Sequence, residues 1–374
     1  MRCEHETLFD QVKRVSPSVK QEAADNDQSG VFPTESFALL RQTGVLRATL
    51  PVSLGGFGLG EGADGAEALL KLLQLLGEAS LPVARLFEAH VNALQLICRY
   101  GRDVLIKRSA QDAVEGALFA LWVTDPPVDR LALHAEVGGF ELRGGKAFCS
   151  GAGFATRALV TAATATGNQM LVINIEPGVR VFPSSIKLSG MRATATGSMD
   201  LSGIQIAPDA LLGIEGDYLR EPVFSAGAWR SAAAAFGGLT ALVAIHRDEI
   251  IKRGRADDAH QQARFGALLI AFETARLWMA QAALRGCVED DGEQAIVAYV
   301  NLARLAVEAA CLDAMRLTQR GLGLGAFIVG HPAERICRDL ATYLRQPAPD
   351  EALAKAAIHY FHALLPGATA GDAQ

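Results

Sequence analysis

Apolar positions along the chain change period twice, and these changes divide it into three parts. Residues 34–46 place Phe37, Leu40 and Val45 behind a Thr34 cap and before Gly44, the spacing of a short amphipathic helix. A glycine-rich loop follows, entered at Pro51 and running through PVSLGGFGLG. Helical spacing resumes over 64–78 and 84–100, where EALLKLLQLL is so rich in leucine that the segment must be covered on most sides. From about residue 117 the runs become short and β-rich (ALFALWVT, AEVGGFELRG, ALVTAAT, QMLVINIE and GSMDLSGIQI), broken by Gly and Asn turns. Beyond about 216 the pattern returns to long helices, over 229–253, 259–287, 292–320 and 351–364. The chain therefore reads as α+β, with an N-terminal helical domain over 1–115, a central β domain over 116–215 and a C-terminal helical domain over 216–374. It shows no internal repeat or low-complexity tract.

Composition agrees with a packed protein: half of the 374 residues are hydrophobic and a fifth are charged. A formal charge of −6, with no basic cluster interleaved with aromatics, argues against nucleic acid as a partner. The charged start MRCEHETLFDQVKR lacks the apolar core of a secretory signal. The longest apolar stretch, 232–245, contains Gly237, Gly238 and Thr240 and is shorter than the roughly 20 residues a spanning helix needs. These features lead us to expect a soluble, cytoplasmic protein without membrane partners. Six cysteines lie scattered without CxxC spacing, and His359 and His362 stand apart from any carboxylate set, so no metal site or disulfide framework is expected.

Several short motifs carry more specific information. Phe32-Pro33-Thr34-Glu35, Leu39-Leu40 with Gly44, and the loop from Pro51 to Gly58 come in an order and spacing that resemble the N-terminal signature of the acyl-CoA dehydrogenase family. Trp122-Val123-Thr124-Asp125-Pro126 and Gly145-Lys146-Ala147-Phe148-Cys149-Ser150-Gly151-Ala152 resemble two motifs of its middle domain. Arg264-Phe265-Gly266 with Leu269, the turn from Gln319 to Gly325, and Arg335-Ile336-Cys337-Arg338-Asp339 resemble its C-terminal motifs. The resemblance spans roughly residues 30–360 and implies that family's fold: a helical domain, a barrel-like β domain and a four-helix bundle. It also implies FAD as cofactor. Val123 and Thr124, following Trp122, would bond the flavin edge, while Phe148, Cys149 and Ser150 would flank the ring. Arg264, Phe265, Gln319 and Gly323 would meet a neighbouring subunit's cofactor, which implies a homodimer or homotetramer. These roles are physically apt, since a flavin needs a flat apolar wall and a few fixed donors. Taken alone, the same residues also read as turn-closing hydroxyls, a helix-surface arginine and a glycine-rich helix end.

The departures concern the chemistry. The family's arginine three residues before Phe265 is Gln262, its glutamine eight after is Glu273, and the first glycine of its turn is Leu322. Its proton-abstracting glutamate falls at Pro347, which cannot accept a proton, and 227–230 offers no carboxylate instead. Its Gly-Ser-Asp is represented only by Val128-Asp129. Asp350, three residues beyond Pro347 in a loop that two prolines should hold extended, is the candidate base; its competing role is to cap the helix that follows. Three readings follow. The first is an acyl-thioester dehydrogenase acting on acyl-CoA, with an electron-transfer flavoprotein as partner. The second is a flavin oxidase or monooxygenase on the same fold. The third is a non-catalytic subunit that retains the fold.

Overall fold

A computed structural model describes residues 2–182, 187–288 and 292–363. Its helices before the strands are α1 (Arg2–Asp25), α2 (Thr34–Thr43), α3 (Gly62–Ala79), α4 (Leu81–Tyr100) and α5 (Asp103–Val114). The strands are β1 (Phe119–Trp122), β2 (Ala132–Glu136), β3 (Gly139–Arg143), β4 (Gly145–Cys149), β5 (Arg157–Ala163), β6 (Asn168–Asn174), β7 (Val181–Phe182), β8 (Gly197–Asp200), β9 (Gln205–Ile206) and β10 (Leu211–Leu212). After them come α6 (Val223–Ala226), α7 (Trp229–Lys252), α8 (Ala259–Cys287), α9 (Glu293–Leu322), α10 (Pro332–Tyr343) and α11 (Pro349–His362). Periodicity does not announce α1, whose polar composition and internal Pro17 weaken the signal, nor α5 and α10.

Packing groups the chain into two units. One holds the residues up to Glu61 with Pro82–Arg220; the other holds Gly62–Leu81 with the chain from Glu221 onward. In the first unit, the strands expected to form a barrel-like body make two sheets. A seven-stranded mixed sheet runs β10-β6-β5-β2-β3-β9, with β1 parallel to β5, and a three-stranded antiparallel sheet runs β4-β8-β7. Alternation along β1 and β5 explains their continuous apolar runs. Ala120, Trp122, Ala158 and Val160 join one core with Leu142, Leu171 and Met199, while Phe119 and Leu159 join a second with Leu94, Ile97 and Leu105 of α4 and α5. Arg157 of β5 clamps Asp112 of α5 through two bonds of 2.7 and 2.9 Å.

His90 ties three segments of this unit together. Its Nε2 meets the Leu46 carbonyl at 2.6 Å and its Nδ1 accepts the Phe119 N–H at 3.0 Å, an arrangement that demands the neutral ring protonated on Nε2. The ring is 0 % exposed. Burial holds its pKa down to about 4, against a smaller upward pull from the Leu46 bond.

In the second unit α7, α8 and α9 pack on one another, α3 lies against α7 and α8, and α10 and α11 lie against α9. The bundle thus takes one helix from well upstream in the chain. The α3–α7 crossing depends on two glycines: a Cβ at Gly77 would stand 2.2 Å from the Ala234 carbonyl oxygen, and one at Gly237 would stand 2.4 Å from that of Gln74. By length and composition, Val223–Lys252, Ala259–Cys287 and Glu293–Phe327 are long and apolar enough to cross a membrane, in contrast to the expectation from the longest unbroken apolar run. Here much of their apolar surface faces the bundle, with α8 the least covered.

The His90 geometry predicts a pH dependence. A base with a depressed folded-state pKa contributes stability that is complete above its unfolded value of 6.5 and lost as pH falls toward about 4. The loss should approach about 3 kcal/mol. Denaturant midpoints at pH 7 and pH 5 should fall further apart in wild type than in His90→Gln.

Candidate functional site

The ends of β1 and β4 lie side by side and are locked by two bonds. The Trp122 indole N–H donates to the Ser150 carbonyl at 3.0 Å, and the Ala147 N–H donates to the Thr124 carbonyl, also at 3.0 Å. Beneath them Lys146 is only 1 % exposed, and its ammonium donates to the Val123 carbonyl, the Asp125 carboxylate and the Thr161 hydroxyl. Burial lowers the Lys146 pKa, and the bond to Asp125 opposes that shift.

Between Lys146 and Cys149 the β4–β8 register slips, and Phe148 adopts φ 52°. A left-handed backbone is a true outlier for an aromatic residue. Its effect is to turn the ring outward, 50 % exposed, while Cys149 on its other side is buried. Strain of this kind persists where a site uses the resulting orientation. The Cys149 side chain faces the core, its thiol pushed up to about 12 by burial, so only its backbone belongs to the site. Trp122, Val123, Thr124, Phe148 and Ser150 are therefore gathered as the motifs implied. The sequence reading missed Thr196, whose hydroxyl stands beside that of Ser150, and Thr194, bonded behind it, because an alternating Thr-Ala-Thr in a loop has no periodic signature.

Two residues past Thr124, at Pro126, begins a cleft of about 580 Å³ whose walls include Arg130, His134, Arg143, Lys146, Ser198 and Ser202. Charged and hydroxylic walls suit a polar ligand better than a fatty chain.

In the second unit, Arg264, Phe265, Gln319 and Gly323 gather where α8 starts and α9 ends. Gln261 donates to the Gly321 carbonyl at 3.1 Å, and Arg253 donates to that of Leu322 at 3.0 Å. Phe265 stacks on His246 at 6.0 Å, and His246 is kept below its ordinary pKa by burial and by the charge of Arg264. Gly323 has φ 64° and open space around its α-carbon. Gln262, in the position of the family's arginine, donates to the Ala256 carbonyl at 3.1 Å, and Glu273 pairs with Arg276.

The loop expected to be extended around Pro347 is instead a tight, anchored turn. Arg304 donates to the Pro347 carbonyl at 3.2 Å, Arg345 pairs with Glu308, and Gln346 donates to the Tyr343 carbonyl. Ala348, at φ 49°, occupies the N-cap position of α11, so Asp350 is not the cap. Asp350 lies exposed in the first helical turn, where it favours the helix dipole. Among the described residues no cluster of His, Cys, Asp and Glu could hold a metal ion.

Residues 3–117 match the model of the acyl-CoA dehydrogenase N-terminal domain, and the chain has the acyl-CoA dehydrogenase fold. Over 370 residues it is 27 % identical to L-evernosamine nitrososynthase of a Micromonospora species, covering 89 % of this chain and 84 % of that protein. Among solved structures, it superposes with a TM-score of 0.84 on KijD3 in complex with FMN and dTDP-3-amino-2,3,6-trideoxy-4-keto-3-methyl-D-glucose, at 21 % identity over 95 % of this chain and 94 % of the other. The same TM-score relates it to butyryl-CoA dehydrogenase of Megasphaera elsdenii, at 16 % identity over 96 % of this chain and 98 % of the other.

Because Phe148 is outward-facing and strained, replacing it should scarcely alter stability. Phe148→Asn, with a side chain that tolerates the left-handed region, is expected to stay within about 1 kcal/mol of wild type. Phe119→Ala, which empties a fully buried position, should cost roughly 3–5 kcal/mol. Chemical denaturation distinguishes the two.

Proposed function

We propose that this protein is a flavin-dependent oxygenase that oxidises the amine of a nucleotide-linked amino sugar. The observation that carries this reading is a flavin wall retained without the dehydrogenase's base. Phe148, Ser150, Val123 and Thr124 stand together, while the glutamate position is Pro347, whose carbonyl is tied to Arg304. Dehydrogenation of an acyl thioester requires a carboxylate opposite the flavin to take the α-proton. Oxidation of an amine needs no proton taken from carbon, because the lone pair of the free amine is itself the nucleophile. The likeness to L-evernosamine nitrososynthase over most of both chains supports the same choice, and the charged walls of the cleft beyond Pro126 suit a phosphorylated, sugar-like substrate.

The residues present fit a flavin. The exposed Phe148 ring is a flat apolar contact, and the half-buried hydroxyls of Ser150 and Thr196 are fixed polar groups beside it. A bound flavin would supply the activation of dioxygen that side chains cannot perform. FMN suffices in this reading, because the family arginine that meets the adenine half of FAD is Gln262, bonded to the Ala256 carbonyl in the loop before its own helix. Reoxidation by dioxygen also removes the need for an electron-transfer flavoprotein. To test the reading, reduced flavin is supplied to the protein in air-saturated buffer with a dTDP-linked amino sugar, and the sugar's mass is followed. A gain of oxygen on the amine is expected. Anaerobic bleaching of bound flavin by acyl-CoAs, with no oxygenated sugar, would establish the dehydrogenase instead.

We propose also that the chain assembles at least as a homodimer. Helix α8 leaves Leu269, Ile270 and Leu277 exposed, Ile270 at 70 %, an apolar face that a second copy can cover. Wild type should sediment as a dimer or larger, and Ile270→Asp should shift it toward monomer. A monomeric wild type at micromolar concentration would rule this out.

A further inference from the structure

We propose that His246, Gln261 and Thr318 hold a buried water molecule where α7, α8 and α9 meet, and that this water keeps the Gly321–Gly323 turn in place.

The three side chains come from three helices and are shut off from solvent: His246 and Thr318 are 0 % exposed and Gln261 is 2 % exposed. Among the described residues, no protein atom bonds either ring nitrogen of His246, the Gln261 Oε1 or the Thr318 hydroxyl. Buried polar groups are nearly always paired, with protein or with ordered water, so four such atoms at one junction call for a shared partner. Their convergence is visible at Gly321, one helical turn beyond Thr318 on the same face of α9. A Cβ built there would stand 2.4 Å from the His246 Cε1, and 3.2 Å from both the His246 Nδ1 and the Gln261 Oε1. Because Cε1 lies between the two ring nitrogens, both are turned toward the end of α9.

The orientation of Gln261 is fixed. Its amide nitrogen donates to the Gly321 carbonyl at 3.1 Å, and a carbonyl can only accept, so the amide oxygen is the atom left to the cluster. That oxygen needs a donor. A water molecule donates to it, accepts from the Thr318 hydroxyl and bonds a ring nitrogen of His246, as donor or acceptor according to the tautomer. Three bonds of this kind are the usual complement of an internal water.

Charged ligands are ill suited to the same place. An anion, which can only accept, cannot serve the Gln261 oxygen. A metal ion would find no cluster of His, Cys, Asp and Glu among the described residues, and would face the charge of Arg264. Burial and that same charge hold His246 below its ordinary pKa, which keeps the ring neutral and able to accept as well as donate.

The turn beyond depends on this arrangement. Gln261 and Arg253 hold the carbonyls of Gly321 and Leu322, and Gly323 then enters the left-handed region at φ 64°. A water that fixes the Gln261 amide fixes the first of these two holds, with His246 and Thr318 acting as positioning residues through it.

The test uses the full chain and Thr318→Val, which keeps the shape of the side chain and removes its hydroxyl. A high-resolution crystal structure of wild type should show a density peak within about 3.2 Å of the Gln261 Oε1, the Thr318 hydroxyl and a His246 nitrogen. Thr318→Ser, which retains the hydroxyl, should keep that peak. In Thr318→Val the melting midpoint should fall by about 2–4 °C, the scale of one lost hydrogen bond in a large domain. Amide exchange at 321–323 should quicken there by about fivefold. A dry junction predicts the opposite sign, because replacing an unpaired buried hydroxyl by a methyl group is stabilising. A wild-type map with no peak at the junction, or a Thr318→Val midpoint at or above that of wild type, would overturn the inference. Unchanged exchange at 321–323 in Thr318→Val would overturn the water's hold on the turn.

Discussion

The ammonium of Lys146 lies almost completely out of water, and a buried charge is tolerated only when bonded on every side. Its three acceptors come from two places, the end of β1 with the residues just after it and the middle of β5, so the charge stitches β4 to both. Everything that gives the site its form follows from that attachment. Val123 and Thr124 are held level with Phe148, the bulge between Lys146 and Cys149 has a fixed base from which to turn the phenyl ring outward, and Trp122 can reach the Ser150 carbonyl. Removing one partner of such a charge typically costs about 3–5 kcal/mol, more than a surface contact can supply.

The chemistry then depends on what this chain lacks as much as on what it keeps. A rigid aromatic wall with hydroxyls at its edge is common to several flavin reactions, whereas a positioned carboxylate belongs to proton abstraction. In this chain an exposed phenyl ring at Phe148 and the hydroxyls of Ser150 and Thr196 are present, and Pro347 is part of an anchored turn. The buried cysteines add no alternative nucleophile, since burial keeps their thiols protonated. The proposed oxygen chemistry rests on this contrast, with a substrate that brings its own nucleophile.

The helical unit illustrates a different constraint. Gly77 and Gly237 permit two helix backbones to approach until a single added carbon would clash, and the crossing brings a helix from the first hundred residues into a bundle made mostly from the last hundred and fifty. Around α9, Gln261 and Arg253 satisfy carbonyls of the Gly321–Leu322 turn, so this turn keeps its shape through side chains rather than through its own sequence.

Much of this was legible in the sequence, because period is a local property. A 3.6-residue repeat marked α2, α3, α4, α7, α8 and α9, alternation marked the strands, and the motifs around Trp122 and Phe148 marked residues that the fold brings side by side. Other features depended on partners distant in the chain. His90 became a neutral pin only because Leu46 and Phe119 arrive on opposite sides of it. Asp350 looked like a cap or a base until the turn before it placed Ala348 at the helix entrance and left the carboxylate in water. Thr194 and Thr196 carried no signal at all until the fold, with left-handed residues at 191 and 195, placed the Thr196 hydroxyl between those of Ser150 and Thr194. Periodicity records which face of an element is buried; the direction of a proton or the reach of a carboxylate is set by whatever atom the fold places three ångströms away, and only the tertiary structure decides that.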